Sequence, residues 1–281
     1  MIAFAFTLLF AATAPQIPPA IFTDPPHDAA HPAQMVVLHI PSGGVEINGI
    51  AYLPPGAGPH PAFVFMHGLP GNEKNLDLVQ AVRRAGWAAI AFNYRGSWGS
   101  PGSFRFAENL EDADAVLAYI RDPANARKLG IDTSRIVIAG HSMGGWVAAM
   151  TAGHDRNLRG VILISAANMG GRSGDRTKLI EHMREDMESL AGVTAESMAD
   201  ELIANAKSFD WTSAVPGLAR TPLLVLTAND GLAPQDDALV DAVKTAGNAH
   251  LTTTHVATDH SWSDARIKLE SLVIRWLETL R

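Results

Sequence analysis

Five short runs almost free of polar residues constrain this chain more than any other feature: AFVFM (62–66), AAIAF (88–92), RIVIAG (135–140), GVILIS (160–165) and PLLVLT (222–227). A strand with one face in water alternates apolar with polar residues, whereas a continuously apolar run has to be covered on both sides. Parallel strands sandwiched between helices meet that demand. Helix-like stretches, including 109–120 and 235–246, separate the runs. Upstream, MVVLHI (35–40) and VEINGIAYL (45–53) do alternate, and they flank Gly43-Gly44, which suits an antiparallel hairpin at a sheet edge. The expected fold class is α/β, a doubly wound and mostly parallel sheet with an antiparallel N-terminal hairpin. A length of 281 residues with 47% hydrophobic content supports a core of that size.

One crossover is too long for a simple connection. More than fifty residues separate the runs at 160–165 and 222–227, so an insertion is expected at about 166–215. Leu179, Ile180, Met183, Met187 and Leu190 recur at helical spacing, as do Met198, Leu202 and Ile203, which predicts two helices forming a cap. Its surplus of acidic residues reads as a solvated helix face. At the other end, the apolar run 2–14 closes on Ala12-Thr13-Ala14, the pattern of a signal peptide over 1–14 and hence of a periplasmic or secreted protein. No Lys or Arg precedes that run and Pro15 follows it, which weakens the pattern without displacing it; a cytoplasmic protein is the alternative. The run is too short to span a membrane stably. Residues 15–34 are proline-rich and read as a linker, with the domain occupying 35–281.

Charge and composition remove several function classes. A formal net charge of −7, with no cluster of Lys or Arg, gives nucleic acid nothing to bind. The absence of cysteine excludes disulfides, thiolate metal sites and a thiol nucleophile. His250, His255 and His260 invite a metal reading, but steps of five along a strand alternate faces, so no metal and no cofactor is expected.

The chemistry concentrates around GHSMGG (140–145). Ser142 follows an apolar run and opens a helix-like stretch, the context in which a strained strand-to-helix turn exposes a serine hydroxyl. Flanking glycines relieve collisions with neighbouring backbone, and the first free N–H of the helix, that of Met143, points at any oxyanion formed on an attacked carbonyl. A serine that merely capped a helix would not need those glycines. Such a serine requires a base, and the base an orienting acid. Asp230 follows the PLLVLT run and His260 lies beyond HLTTTHV, so that Ser142, Asp230 and His260 occur in the expected order. Asp236 and Asp237 read instead as the start of the next helix. The loop HGLPGNEKN (67–75) offers Leu69 N–H as a second oxyanion donor. His67, Tyr94, Trp98 and His141 border these motifs and are candidates for the substrate pocket, and Arg95 is expected to pair with Glu111 or Asp112.

Together HGLPGN, NYRGSWGSPG, GHSMGG, TANDGLAP and DHSWSD make residues 35–281 resemble an α/β-hydrolase-fold serine hydrolase. The HG loop and the DHSWSD ending are similar to the esterase group that includes feruloyl-esterase-like proteins, and to the catalytic domain of the prolyl oligopeptidase (S9) family. The resemblance implies Ser142 as nucleophile, His260 as base, Asp230 as orienting acid, and Leu69 and Met143 N–H as oxyanion hole. It implies a carboxylic ester hydrolase acting on a small molecule. The alternative is an S9-like peptidase taking short peptides, although the chain has no room for that family's propeller domain. A non-catalytic binding module on the same fold is the third class, since fold alone does not fix function.

Overall fold

The computed structural model describes residues 16–280 apart from Ser173. The signal-peptide reading of 1–14 therefore lies outside the described residues. Strands β1 (Gln34–Ser42) and β2 (Val45–Leu53) form the hairpin, and β3 (His60–Met66), α1 (Leu76–Arg84), β4 (Ala88–Phe92), α2 (Phe106–Arg121) and α3 (Pro123–Leu129) follow. Next come β5 (Ile131–His141), α4 (Met143–His154), β6 (Gly160–Ile164), the cap helices α5 (Arg176–Arg184) and α6 (Ala195–Ala204), and the short α7 (Val215–Leu218). The chain closes with β7 (Leu223–Thr227), α8 (Ala233–Thr245), β8 (Leu251–His255) and α9 (Arg266–Glu278).

The eight strands form one sheet in the order β1-β2-β4-β3-β5-β6-β7-β8. β1 and β2 pair antiparallel, β2 meets β4 antiparallel, and every later pairing is parallel. The apolar runs bury alternate residues in two layers, as the pleat requires. From β3, Ala62, Val64 and Met66 face a core completed by α2, α4 and α8, while Phe63 and Phe65 face one completed by α1 and α9. The crossover from β3 runs to β4 on one side, and the next, from β4, passes back over β3 to β5 on the other. The carboxyl ends of β3 and β5 therefore border the point where the strand order reverses, where open α/β sheets hold their ligands.

Two regions depart from the sequence reading. Residues 16–22 are not a free linker: Ala20 and Ile21 pack on the α1/α9 core, and the Arg84 guanidinium donates to both their carbonyls, at 2.5 and 3.0 Å. In the cap, helical spacing continues to Leu190, but α5 stops at Arg184. Backbone groups beyond it bond the loop after β4 instead: Trp98 N–H donates to Ser189 O at 3.0 Å, and Ala191 N–H to Gly96 O at 2.7 Å. A tertiary strand pairing at Ser97 and Leu190 thus replaces the last helical turn. Among the described residues no helix is long and apolar enough to cross a membrane.

Candidate active site

Ser142 sits where β5 turns directly into α4, with φ 56° and ψ −124°, a conformation L-residues rarely adopt. The turn is held by its surroundings. Ser142 N–H donates to Ile164 O at 3.0 Å, and its own carbonyl accepts from Gly145 and Ala167 N–H at 2.9 and 3.0 Å. A Cβ at Gly140 would run into the Gly144 carbonyl, and one at Gly144 into the carbonyl of Met66, so the first turn of α4 can approach β3 and β5 this closely only through glycine. Gly68 passes equally near: a Cβ there would lie 2.9 Å from that of Ser142. The loop after β3 is thereby brought beside the serine.

Asp230 and His260 come together from the loops after β7 and β8. His260 Nδ1 lies 2.9 Å from Asp230 Oδ2, and with side-chain exposures of 2% for Asp230 and 40% for His260 the carboxylate is the sheltered partner. Burial works against ionisation of Asp230. It is outweighed by bonds from His260, the Leu232 N–H at 3.0 Å and the Ser165 hydroxyl, which hold the carboxyl down at about 2. As a carboxylate it accepts the imidazole Nδ1–H, which leaves Nε2 as the basic nitrogen. Ser142, His260 and Asp230 open onto one cleft of about 420 Å³, with Leu69 and Met143 on its wall. The body contributes Met169 and Leu232, and α5 contributes His182 and Met183. A strained serine, an oriented imidazole and a cleft of mixed polar and apolar lining together suit nucleophilic attack on a carbonyl.

None of the four expected pocket residues lines this cleft. Tyr94 is fully buried and its hydroxyl donates to His67 O at 3.3 Å. His67 is buried against Tyr94, and its Nδ1 donates to Gly68 O at 2.7 Å. A carbonyl only accepts, so the proton is on Nδ1, and burial holds this imidazole neutral, down at about 4. Because the peptide unit is planar, fixing Gly68 C=O also fixes the direction of Leu69 N–H. His141 likewise donates from Nε2 to the His260 carbonyl at 2.8 Å and packs its ring 4.7 Å from that of His260. Burial, and then the His260 charge, hold it too at about 4. Trp98 turns its indole N–H to Pro70 O at 2.7 Å. All four hold the loops that form the site, because each points into backbone rather than toward the cleft.

Two residues without an expected role complete the arrangement. Trp262 donates from Nε1 to Ser165 Oγ at 3.1 Å, and the Ser165 hydroxyl in turn bonds Asp230. Both are fully buried at positive φ, 43° for Ser165 and 58° for Trp262. Trp262 stood in the DHSWSD motif without an assigned partner, and Ser165 reads only as a strand end. Arg95 meets both carboxylates proposed for it, Asp112 at 2.7 Å and Glu111 at 2.7 Å. His255 directs its two nitrogens at Thr227 Oγ1 and Asn229 Oδ1, and no metal-binding group of His, Asp and Glu occurs among the described residues.

Comparison with known proteins agrees with this architecture. The model of the alpha/beta hydrolase family matches residues 63–275, and the chain belongs to that family. A quorum-quenching protein, AidA, from Acinetobacter baumannii is 33% identical over 128 residues, a match spanning 43% of this chain and 40% of that relative's length. Among solved structures, a Pyrobaculum calidifontis esterase superposes with a TM-score of 0.67 at 22% identity, covering 90% of this chain and 88% of its own. A Pyrococcus horikoshii acylaminoacyl peptidase gives 0.64 at 18% identity, covering 88% of this chain and 41% of its own. At these identities the likeness to the two solved structures is one of fold.

Proposed function

We propose that this chain is a serine hydrolase that cleaves a carboxylic ester of a small molecule through an acyl-enzyme. The observation that carries the reading is the 2.9 Å contact of His260 Nδ1 with Asp230, opening onto the cleft that holds the strained Ser142. His260 Nε2 removes the Ser142 proton as the hydroxyl oxygen attacks the ester carbonyl, and the Leu69 and Met143 N–H groups receive the oxyanion. His260 then gives its proton to the leaving alcohol, and water repeats the sequence on the acyl-enzyme. Asp230 stays ionised throughout and holds the imidazole in the tautomer the cycle needs.

The test compares a short-chain p-nitrophenyl ester with an aminoacyl p-nitroanilide. Ester turnover that disappears in Ser142→Ala supports the reading, with a loss of about three orders of magnitude or more. Met143→Ala, which keeps the main-chain N–H, retains turnover within about tenfold. Equal loss in both variants removes Met143 from the oxyanion hole. Serine-dependent cleavage of the anilide at a comparable rate makes the chain a peptidase instead. Turnover unaffected by Ser142→Ala overturns the scheme.

A further inference from the structure

The loop after β3 is anchored at one further carbonyl, and its anchors come from outside the site. Pro70 O accepts the Trp98 indole N–H at 2.7 Å and the Ser189 hydroxyl at 3.3 Å, which occupies both its lone pairs. Trp98 belongs to the loop after β4 and Ser189 to the cap. The two are themselves joined, since Trp98 N–H donates to Ser189 O at 3.0 Å within the short pairing of 96–98 with 189–191. Lys74, at the far end of the loop after β3, lies 4.3 Å above the Trp98 ring and bonds Asn93 at 3.0 Å. The indole is thus gripped by both ends of the loop it supports. Gly71, next to Pro70, adopts φ 95°, and a Cβ there would lie 2.9 Å from the Trp98 indole nitrogen, so the indole reaches Pro70 O only past a glycine.

We infer that Trp98 and Ser189 are positioning residues for the oxyanion hole: by converging on the Pro70 carbonyl they hold Leu69 N–H in place and make that placement depend on the cap segment 187–191 being seated on the body. This rests on the reading of Leu69 as an oxyanion donor. Neither side chain lines the cleft, so both act on the reaction through the loop and not through substrate binding. Small displacements of such a donor are costly, because a shift of about 1 Å can reduce rate by about a hundredfold.

The experiment is steady-state kinetics of the full chain on a p-nitrophenyl ester for Trp98→Phe, Ser189→Ala and the double variant. Affinity for a trifluoromethyl ketone, whose adduct with serine carries an oxyanion, is measured alongside. Trp98→Phe keeps an aromatic ring on the side of Lys74 and removes the N–H together with the five-membered part of the indole. It lowers kcat by about tenfold with KM changed less than about twofold, and weakens the ketone in proportion to the loss in kcat/KM. Ser189→Ala does the same to a smaller degree, and as the loss of a single hydroxyl from a half-buried residue it guards against misfolding of the tryptophan variant. Unchanged kcat in both single variants overturns the inference, as does a fall in kcat with no loss of ketone affinity. Labelling of the wild type by a fluorophosphonate at Ser142 distinguishes the two levels: an unlabelled Ser142 overturns the serine hydrolase reading and this inference together, whereas a labelled Ser142 with insensitive variants overturns this inference alone.

Discussion

Asp236 burdens the fold, and replacing it should stabilise the protein in a pH-dependent way. The residue lies in the first turn of α8 with no solvent exposure, and neither carboxyl oxygen has a hydrogen-bond partner among the described residues. Burial, reinforced by the charges of Asp230 and Asp237, pushes its carboxyl up from 3.8 to about 8. In this pH range the native state therefore keeps a proton that the unfolded chain has already lost. The contribution of this group to stability is complete below 3.8 and is lost as pH rises toward about 8, above which nothing more is lost. Each pH unit in that interval costs about 1.4 kcal/mol, so the burden near neutrality is about 4 kcal/mol. Asp236→Asn keeps the size and removes the ionisation. Urea unfolding at about pH 5, 6, 7, 8 and 9 measures the difference, and the advantage of the variant should grow by about 1.4 kcal/mol per unit up to about pH 8 and then level off. An advantage that does not vary with pH would refute the reasoning, and so would a variant less stable than the parent at about pH 8.

The remaining expectations concern packing and the loop after β4. Gly144→Ala drives a methyl group into the Met66 carbonyl and should lower stability by roughly 3 kcal/mol or more, whereas Gly174→Ala meets nothing within 4 Å and should leave the melting temperature unchanged. Asp112, with no exposure, accepts from Ser42 Oγ at 2.5 Å, Arg95 N–H at 2.8 Å and Arg95 Nε at 2.7 Å. Asp112→Ala strands those donors and should cost about 3 to 5 kcal/mol in denaturant unfolding.

Much of the sheet was legible because its strands are specified by composition over their own length. AAIAF coincides with β4, and the other runs differ from their strands chiefly at the ends. The order Ser142, Asp230, His260 was legible for a related reason: each residue follows a strand, and a parallel sheet brings all such ends to one edge. What escaped depends on contacts between distant segments. The helical spacing of Met187 and Leu190 was overridden by backbone bonds to residues 96 and 98, which no local pattern encodes. His67, Tyr94, Trp98 and His141 were adjacent to the site in sequence, but adjacency does not say whether a side chain points into a cleft or back into a loop. Asp236 shows a different limit. It does fall in the first turn of a helix, as the macrodipole argument expects of a carboxylate, yet burial outweighs the dipole and keeps it protonated.

The pairing of 96–98 with 189–191 bears on how proteins of this architecture exchange specificity. Met183 and His182 reach the cleft from an insert that leaves the sheet untouched, so the insert resembles a cassette that evolution or an engineer could swap to reshape the cleft. It is not freely interchangeable, because one stretch of it is stitched into the body at Ser97 and at Pro70, next to Leu69 of the cleft wall. A transplanted cap would have to carry an equivalent of residues 189–191, or the recipient loop would have to be redesigned to stand without them.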